Sequence, residues 1–578
     1  MADVFATQRP AVRGVTHMVA TGHYLASAAG YRILEDGGNA VDAGIAAGMV
    51  LGVTLPQWVS LGGVAPILIY SAKTNEVKSI SGLGRWPKAA NLDRLVELGN
   101  GQPLPPILRC VTPSAVDAWM TALENFGTMT FEQVSAPAVE ICQSGFVVQG
   151  TLAHFLPGMA GMIQASQGLQ DIMMTRGRLL VEGDLMVQSI LAKTLGRIAE
   201  VERGASHKGR EQAIRAARDF FYKGDIAREM AKYSQENGGL IGYEDFAEFS
   251  VKIESPYMTQ YKDYEVYSCG PWCQGPALLE VLNILDGVDI RSMGHNSTTY
   301  VHTIAEAVKL AFSDRHYYFG DPDFVPVPME GLLSKEYARD RRAGLDMETA
   351  WPEMPEPGDP FKYQSGPRPS FELARKPVPK SAASRPQDTS YVSVVDRWGN
   401  AFSATPSDGY QNFVPGLGLS MSARGGQSWL EPDHPSRVEP GKRPRLTPSP
   451  SMALKNGKLF MAFGTPGLDV QIQAMTQLFL NIVEFGMDPQ LAVEQPRFAS
   501  FSFPLTGMSG IYEPGMLRCE PGIGAEAMSE LNARGHKVED WGRRNYEAGG
   551  LCTIVVDHER GSLTAGADYR RECYAIGR

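Results

Sequence analysis

The chain has 578 residues, of which 43% are apolar and 20% charged, proportions typical of a globular protein that exclude a largely disordered or fibrous one. A formal net charge of −10 disfavours a general binder of nucleic acid or of anionic membranes. The longest nearly apolar run, about 43–55, is shorter than the ~20 residues that a membrane-spanning helix needs. The N-terminus shows no secretory pattern and the seven cysteines are scattered, so we expect a cytoplasmic protein with free thiols.

The first third of the chain predicts two helices followed by a β-hairpin. Small and apolar residues recur at helical spacing over 25–38 and again over 40–52. The apolar runs 66–70 and 77–80 flank the turn residues Lys73, Thr74 and Asn75, a pattern that favours two paired strands.

The middle of the chain, about 112–345, is mostly helical by periodicity. The spacing of apolar residues predicts helices over 114–126, 185–201, 277–285 and 299–312, the last capped by Ser297 or Thr298. Residues 352–386 then hold nine prolines, which exclude a regular helix or a central strand there. Two interpretations of this stretch stay open: a linker between domains, or a segment that has to move away from what lies behind it.

The last third predicts hairpins that alternate with helices. Strand character runs over 389–396 and 401–405, and further hairpins follow over 452–463 and 553–567. A helix over about 469–485 separates those two hairpins. Antiparallel sheets covered by helices, an α+β fold, are the expected result.

The sequence offers one candidate for catalytic chemistry. It lacks the phosphate-binding loop, the dinucleotide fingerprint, the serine nucleophile elbow and the zinc motif H-E-x-x-H. Cys269 and Cys273 have no second ligand pair to complete a metal site. Thr389 begins a strand just after the proline-rich stretch, and a threonine freed at an N-terminus carries its own base, an α-amine with a reference pKa of about 7.7–8.0. The alternative is an internal threonine with a purely structural role.

Seven stretches, spread in order along the chain, carry a family resemblance. They are GGNAVDAGIAAGMVLGVTLPQ (37–57), GPALLEVLNILDG (275–287), 306–324, 331–342, DTSYVSVVDRWGNAFS (388–403), 440–467 and AGADYRR (565–571). Together they resemble the gamma-glutamyltransferase (gamma-glutamyltranspeptidase) family of N-terminal nucleophile hydrolases. The resemblance implies a four-layer αββα sandwich built from a large segment, 1–388, and a small segment, 389–578, that arise from one precursor by self-cleavage.

The resemblance also implies where the precursor is cut. The family's Thr-Thr-His nucleophile motif falls on Thr389, Ser390 and Tyr391, so the bond cut is Asp388–Thr389. Ser407 occupies the position of a hydroxyl residue that orients the freed amine.

The family's oxyanion hole falls on a glycine and a leucine. Gly467 and Leu468 occupy the positions of a Gly-Gly pair whose backbone N–H groups hold the oxyanion, so the leucine is a departure from the family. A plain turn glycine after Pro466 is the alternative interpretation of Gly467.

The positions that bind glutamate in the family depart further. Leu83 stands where the family has its glutamate-binding arginine, and Arg85 lies two residues on, about 6–7 Å further along an extended chain. The family's Ser-Ser pair falls on Leu446 and Thr447. The substrate positions therefore depart from the family pattern, and γ-glutamyl binding by groups rearranged around Arg85 stays open.

A change of charge supports the same expectation. The family's Gln-x-x-Asp pair, which grips the glutamate amino group, falls on Arg424 and Gln427. A guanidinium repels an ammonium group and binds a carboxylate or acyl oxygen in its place. The chain therefore resembles the acylase-like branch of the family, unless Arg424 is simply an exposed, solvated cation.

The preferred hypothesis is a self-processing threonine amidohydrolase or acyltransferase that cleaves a small amide other than glutathione through an acyl-enzyme. It requires neither a metal nor an organic cofactor, and neither nucleic acid nor a membrane as partner. The two segments pair as a heterodimer, and a dimer of such pairs stays open. The alternatives are a true gamma-glutamyltransferase or glutathione hydrolase and, in another class, a binding or scaffold protein that never matures.

Overall fold

The computed structural model describes residues 7–100, 103–366, 377, 388–508 and 510–578. Two antiparallel sheets of seven strands each form its centre. Their strands, in chain order, are Val12–Gly14 (β1), Met18–Thr21 (β2), Ile67–Ser71 (β3), Glu76–Ile80 (β4), Ile253–Glu254 (β5), Tyr257–Tyr261 (β6), Tyr264–Ser268 (β7), Val392–Val395 (β8), Ala401–Ala404 (β9), Ser451–Lys455 (β10), Lys458–Gly464 (β11), Cys552–Asp557 (β12), Ser562–Ala567 (β13) and Tyr574–Gly577 (β14).

The two sheets mix strands from distant parts of the chain. The first has the order β1-β13-β12-β11-β10-β7-β6, and the second has the order β14-β2-β8-β9-β3-β4-β5. Strand β8 lies between β2 and β9, with Val394 opposite Val19 in register. The sheets face each other across an apolar layer that includes Met18, Tyr391 and Met452.

Helices cover the outer face of each sheet. The longer ones are Tyr24–Glu35 (α1), Ala40–Thr54 (α2), Ala115–Phe126 (α3), Phe131–Ser144 (α4), Ser189–Ala205 (α5), Arg210–Lys223 (α6), Asp225–Glu236 (α7), Gly275–Leu285 (α8), Thr298–Tyr318 (α9) and Val470–Val483 (α10). Helices α1 and α2 pack on the second sheet, and α8 and α10 pack on the first. The order of layers is therefore helix, sheet, sheet, helix, the αββα sandwich that the family resemblance implies.

Shorter elements surround the sandwich. Short helices are Leu92–Gly99, Gly150–Phe155, Ala160–Ala165, Gln167–Met173, Tyr243–Ala247, Met329–Leu332, Lys335–Ala343, Pro489–Glu494 and Ala525–Ala533. Peripheral strands pair as Phe146–Val147 with Leu185–Met186, Met174–Thr175 with Arg178–Leu179, Asn412–Val414 with Leu419–Met421, and Phe498–Ser500 with Met516–Cys519 and Lys537–Asp540.

Most of the predicted elements are confirmed, and two are corrected. The cap of α9 is Ser297, whose Oγ accepts a hydrogen bond from Tyr300 N at 3.2 Å. The helix predicted over 185–201 begins only at Ser189, because residues 185–186 pair in a short strand. The strand predicted from 389 begins only at Val392, and Thr389 forms an isolated bridge to Ser407.

Part of the proline-rich stretch 352–386 lies outside the described residues, so both interpretations of it stay predictions. All seven cysteines are buried as free thiols. No helix within the described part of the chain combines the length and the apolar character needed to cross a membrane.

Candidate active site

Thr389 lies between the two sheets at the entry to β8. Its side chain is fully buried, and its bridge to Ser407 aligns the two hydroxyl groups. Thr389 Oγ1 lies 2.9 Å from Ser407 Oγ. The next residue, Ser390, is held by its own N–H, which donates to Pro406 O at 2.9 Å. Backbone pairing on both sides therefore fixes the threonine hydroxyl beside the serine hydroxyl.

The carbonyl group of Asp388 points at the same cluster. Ser407 Oγ donates to Asp388 O at 2.9 Å, and Arg424 Nη2 donates to the same oxygen at 2.7 Å. Arg424 Nη2 also donates to Ser407 Oγ. Because the single Ser407 proton is directed at Asp388 O, Ser407 Oγ accepts from the Thr389 hydroxyl. Two donors thus polarise the carbonyl group of the Asp388–Thr389 bond.

Arg424 is buried, not exposed, so the interpretation of it as a solvated cation is wrong. Burial lowers the pKa of Arg424, and the nearby carboxylates of Asp408 and Asp388 oppose that effect. Burial also raises the pKa of Asp408, which accepts a hydrogen bond from Ser422 Oγ at 2.5 Å. The guanidinium is therefore held in place by carbonyl, hydroxyl and carboxylate groups around the nucleophile candidate.

Gly467 and Leu468 form the turn that follows β11. Both have positive φ angles, +123° for Gly467 and +53° for Leu468, a region in which leucine is rare. Gly467 N donates to Asp388 Oδ1 at 2.9 Å. The glycine amide thus donates to the carboxylate of residue 388, and its role in an oxyanion hole stays a prediction.

A cavity of about 620 Å³ opens at this point. Asp388, Gly467 and Leu468 line it together with a mostly apolar wall. The wall includes Trp58, Phe155, Met159, Met162, Tyr410 and Tyr546. One substrate-sized cavity therefore brings together the candidate oxyanion hole and Asp388.

Tyr391, which stands in place of the family's histidine, takes a structural position. Its hydroxyl lies 2.6 Å from Ser403 Oγ, and burial raises its pKa. A Cβ at Gly464 would come within 2.3 Å of the Tyr391 ring, so the ring packs directly on the glycine backbone. The tyrosine fills the layer between the sheets.

Four other residues expected to bind substrate contact other parts of the protein. Gln427 Nε2 donates to Thr447 Oγ1 at 2.9 Å, and Gln427 Oε1 accepts from Thr447 N at 3.1 Å. Leu83 and Leu446 are buried in the apolar layer between the sheets. None of these four residues is among the described residues that line the cavity.

Arg85 contributes to a group of charges around Asp323. Burial acts to raise the pKa of Asp323, but the Lys252 hydrogen bond and the charges of Arg443 and Arg85 lower it overall. Arg85 therefore belongs to this second group of charges, and it is not among the described residues that line the cavity.

Reasoning from the sequence missed two arginines. Arg109 lines the cavity, and burial lowers its pKa. Arg571 forms an ion pair with Asp388 and stacks on Trp58, with the guanidinium carbon 4.6 Å from the ring centre. The AGADYRR stretch that contains Arg571 was visible in the sequence, but nothing there indicated that it meets residue 388.

One buried cluster has the residue types of a metal site. His302, Glu306 and His536 offer ligand atoms within 4.8 Å of one another. Glu306 already forms an ion pair with Lys309 at 2.7 Å, and the two histidine rings contact each other at 2.9 Å. The Lys309 ammonium thus supplies the cation of this cluster, and the absence of a metal cofactor stays a prediction.

The four layers, the buried threonine at the entry to a strand and the glycine amide that donates to the preceding residue, Asp388, define an N-terminal nucleophile hydrolase fold. The sequence model described as gamma-glutamyltranspeptidase matches residues 26–577, and the chain belongs to that family. It is thus an enzyme that acts on amide bonds, with a threonine as the family's nucleophile.

Relatives from two functional groups match almost the whole chain. The glutathione hydrolase-like YwrD proenzyme of Bacillus subtilis is 32% identical, over 98% of this chain and 99% of the relative. The acylase ACY 1 proenzyme of Pseudomonas sp. strain SE83 is also 32% identical, over 99% and 95%. The crystal structure of cephalosporin acylase from Bacillus halodurans matches with a TM-score of 0.85 at 28% identity, over 100% and 99%. The comparisons favour the enzyme over the scaffold alternative.

Proposed function

We propose that this chain is the precursor of an N-terminal threonine amidohydrolase that cuts its own Asp388–Thr389 bond. The single observation that carries the proposal is the cluster in which Thr389 Oγ1 lies beside Ser407 while Arg424 and Ser407 donate to the carbonyl oxygen of the bond to be cut. Such donors stabilise the charge that develops on a carbonyl oxygen under attack.

Self-cleavage follows from these contacts in two steps. Thr389 Oγ attacks the Asp388 carbonyl carbon while the hydroxyl proton passes through Ser407 to the amide nitrogen, so an ester replaces the amide. Water then hydrolyses the ester, which gives a carboxylate at Asp388 and a free α-amine and hydroxyl at Thr389. A single residue then supplies both nucleophile and base.

The mature enzyme would use the same atoms on an external amide. The α-amine of Thr389 takes the proton of its hydroxyl, the hydroxyl oxygen attacks the substrate carbonyl carbon, and the amides of Gly467 and Leu468 hold the oxyanion. The α-ammonium then protonates the leaving amine. Water or an acceptor amine releases the acyl group from Thr389 and regenerates the enzyme.

The two segments are expected to stay together as a heterodimer after cleavage. Strands β8, β9 and β14 belong to residues 389–578, and they alternate in one sheet with β2 and β3 from residues 1–388. Separation would expose the main-chain hydrogen bonds of that sheet and the apolar layer behind it.

A substrate other than glutathione is favoured by the charges at the site. Buried Arg424 lies beside the nucleophile, where an amino group of the substrate would meet repulsion. The position taken by Leu83 supplies no cation for the α-carboxylate of a γ-glutamyl group. True γ-glutamyl transfer stays the alternative activity. The cytoplasmic location stays a prediction, and a dimer of heterodimers stays open.

Three forms of the protein test the proposal: wild type, Thr389→Ala and Thr389→Ser. We expect two fragments from wild type, the smaller beginning at Thr389, and slower cleavage of the serine variant, which keeps a hydroxyl. The alanine variant stays whole and inactive. Cleavage or amide hydrolysis by the alanine variant would refute the mechanism. Turnover of γ-glutamyl-4-nitroanilide that glycylglycine accelerates would favour true γ-glutamyl transfer.

A further inference from the structure

Arg571 is a buried cation that contacts three residues of the cavity wall, Asp388, Trp58 and Tyr546, and the proposed mechanism does not use it. Its residue is only 4% exposed. Its Nε and Nη2 atoms donate to Tyr546 O at 3.0 and 2.7 Å, and its guanidinium carbon lies 4.6 Å from the centre of the Trp58 ring. Both Trp58 and Tyr546 line the cavity. The guanidinium is therefore fixed against two residues of the cavity wall.

In the uncut chain Arg571 binds the side chain of Asp388. Arg571 Nη2 donates to Asp388 Oδ2, while Asp388 Oδ1 accepts from Gly467 N at 2.9 Å. A guanidinium and a backbone amide together form a site for one carboxylate, and both donors hold it in a buried place. Asp388 thus fills this site with its side chain while its main-chain carbonyl faces Thr389.

Cleavage at residue 388 makes Asp388 a chain end, and its departure leaves Arg571 without this counter-ion. A buried cation without a partner is unfavourable, so the emptied position is a site for another anion. We propose that Arg571 is a specificity-determining residue that binds a carboxylate on the substrate of the mature enzyme. This use of the site rests on the proposed self-cleavage.

The spacing within Asp388 indicates the kind of acyl group. Its side-chain carboxylate is separated from its main-chain carbonyl carbon by two carbon atoms, Cα and Cβ. A succinyl-type acyl group, with a carboxylate two carbons from the reacting carbonyl, has the same spacing. With such a substrate, Arg571 binds the carboxylate and the Gly467 amide becomes free to hold the oxyanion. The apolar part of the cavity then receives the leaving amine.

A binding experiment tests the anion site without any cleavage. Thr389→Ala keeps the chain whole with Asp388 in place, and Thr389→Ala with Asp388→Ala removes only the carboxylate that fills the site. We expect acetate, titrated by calorimetry at constant ionic strength, to bind the double variant and not the single one. Adding Arg571→Gln should abolish binding, and Arg571→Lys should weaken it. Equal acetate binding with Arg571→Gln, or none by the double variant, would overturn the proposal.

A kinetic experiment tests the substrate class on the mature enzyme. We expect succinyl-4-nitroanilide to exceed butanoyl-4-nitroanilide in kcat/KM by roughly 10²-fold, the effect of a buried charge pair. Arg571→Gln should bring that ratio close to one, while Arg560→Gln on an exposed hairpin keeps it. An unchanged ratio in Arg571→Gln would refute the inference alone. Hydrolysis of neither anilide by the cleaved wild type, with acetate binding intact, would count against the proposed function instead.

Discussion

At the scale of single residues, Arg424 is the charge that lies beside the proposed nucleophile, Thr389. Its guanidinium donates to Ser407, whose hydroxyl lies 2.9 Å from that of Thr389, and Asp408 is the nearby carboxylate that partly offsets its charge. A neighbouring cation disfavours the protonated form of an amine. The α-amine of a mature Thr389 should therefore have a pKa below its reference range of about 7.7–8.0.

This gives a pH prediction for the cleaved enzyme. The amine must be deprotonated to act as base, so kcat/KM should rise with pH, with a midpoint below about 7.7. Removing the cation with Arg424→Met should raise the amine pKa and move the midpoint upward by about one pH unit. Cleavage of this variant should also be slower, so it needs long incubation first.

The pH profile of kcat/KM, measured on fully cleaved protein, checks the prediction. Arg560→Met removes an exposed guanidinium from the hairpin between β12 and β13 and serves as the control, with an unshifted midpoint. A midpoint that stays in place or moves to lower pH in Arg424→Met would show that Arg424 does not act on the amine.

At the residue scale, the family resemblance placed the candidate site along the chain. Thr389, Ser407 and Gly467 were placed by their motifs, and the structure brings all three together around Asp388. Arg571 was missed because its role depends on a contact across 183 positions of the chain. Binding of substrate by Arg85 stays a prediction, because Arg85 acts on Asp323 and is not among the described residues that line the cavity.

At the scale of elements, helices and hairpins were predictable because their contacts are local. The periodicity of apolar residues gave α2, α3, α9 and α10, and turn residues gave the hairpin of β10 and β11. The pairing of β8 with β2 was not predictable, because Val392 pairs with Thr21, a residue far away in the sequence. Sheet order is set by packing between distant segments, which a single sequence does not display.

Helix α2 offers a test of packing at this scale. Gly44 lies against Phe402 of β9, and a Cβ at Gly44 would come within 2.1 Å of that ring. Gly44→Ala should therefore destabilise the protein by about 1–3 kcal/mol through overpacking, despite the better helix propensity of alanine. Urea unfolding measures the change.

A glycine-to-alanine substitution in α5 should change the free energy of unfolding in the opposite direction. Gly196 lies in α5, and a Cβ there would meet no atom within 4 Å. Gly196→Ala should stabilise the protein by about 0.5–1 kcal/mol, because alanine loses less backbone freedom on folding. Equal effects at both positions would show that the close approach of α2 to β9 does not constrain the fold.

At the scale of the whole molecule, buried histidines should make the fold sensitive to acid. Burial lowers the pKa of His23 and of His316 to about 3 in each case, and the charges of Arg445 and Arg315 add to the effect at His316. In the unfolded chain these histidines bind protons near pH 6.5, whereas in the folded protein they stay neutral down to about pH 3. Their contribution to the stability of the folded state is therefore complete above about pH 6.5, and it is lost as the pH falls from there towards about 3.

The size of this effect follows from the shift. Each of the two histidines should lower the free energy of unfolding by about 2 kcal/mol when the pH falls from 7 to 5. Urea unfolding at the two pH values measures it, and His316→Gln should reduce the difference by about that amount. His207→Gln, at an exposed position, should leave the difference unchanged. An equal pH dependence in wild type and His316→Gln would contradict the assignment.

The fold of the whole molecule fits the proposal that a single cut activates it. Strands of both segments are interleaved in one sheet, so the frame around Thr389 should survive the loss of one peptide bond. Asp388 meanwhile blocks the Gly467 amide and Arg571 until the bond is cut. Cleavage would thus expose the site without rebuilding it.

The most direct test of this account is to identify the residue that carries the acyl group during turnover. The cleaved enzyme is mixed with a substrate, quenched in acid and digested with trypsin, and the peptides are examined by mass spectrometry. We expect the acyl mass on the peptide TSYVSVVDR, residues 389–397, at its N-terminal threonine. An acyl group on any other residue, or turnover by protein in which this peptide has no free N-terminus, would contradict it.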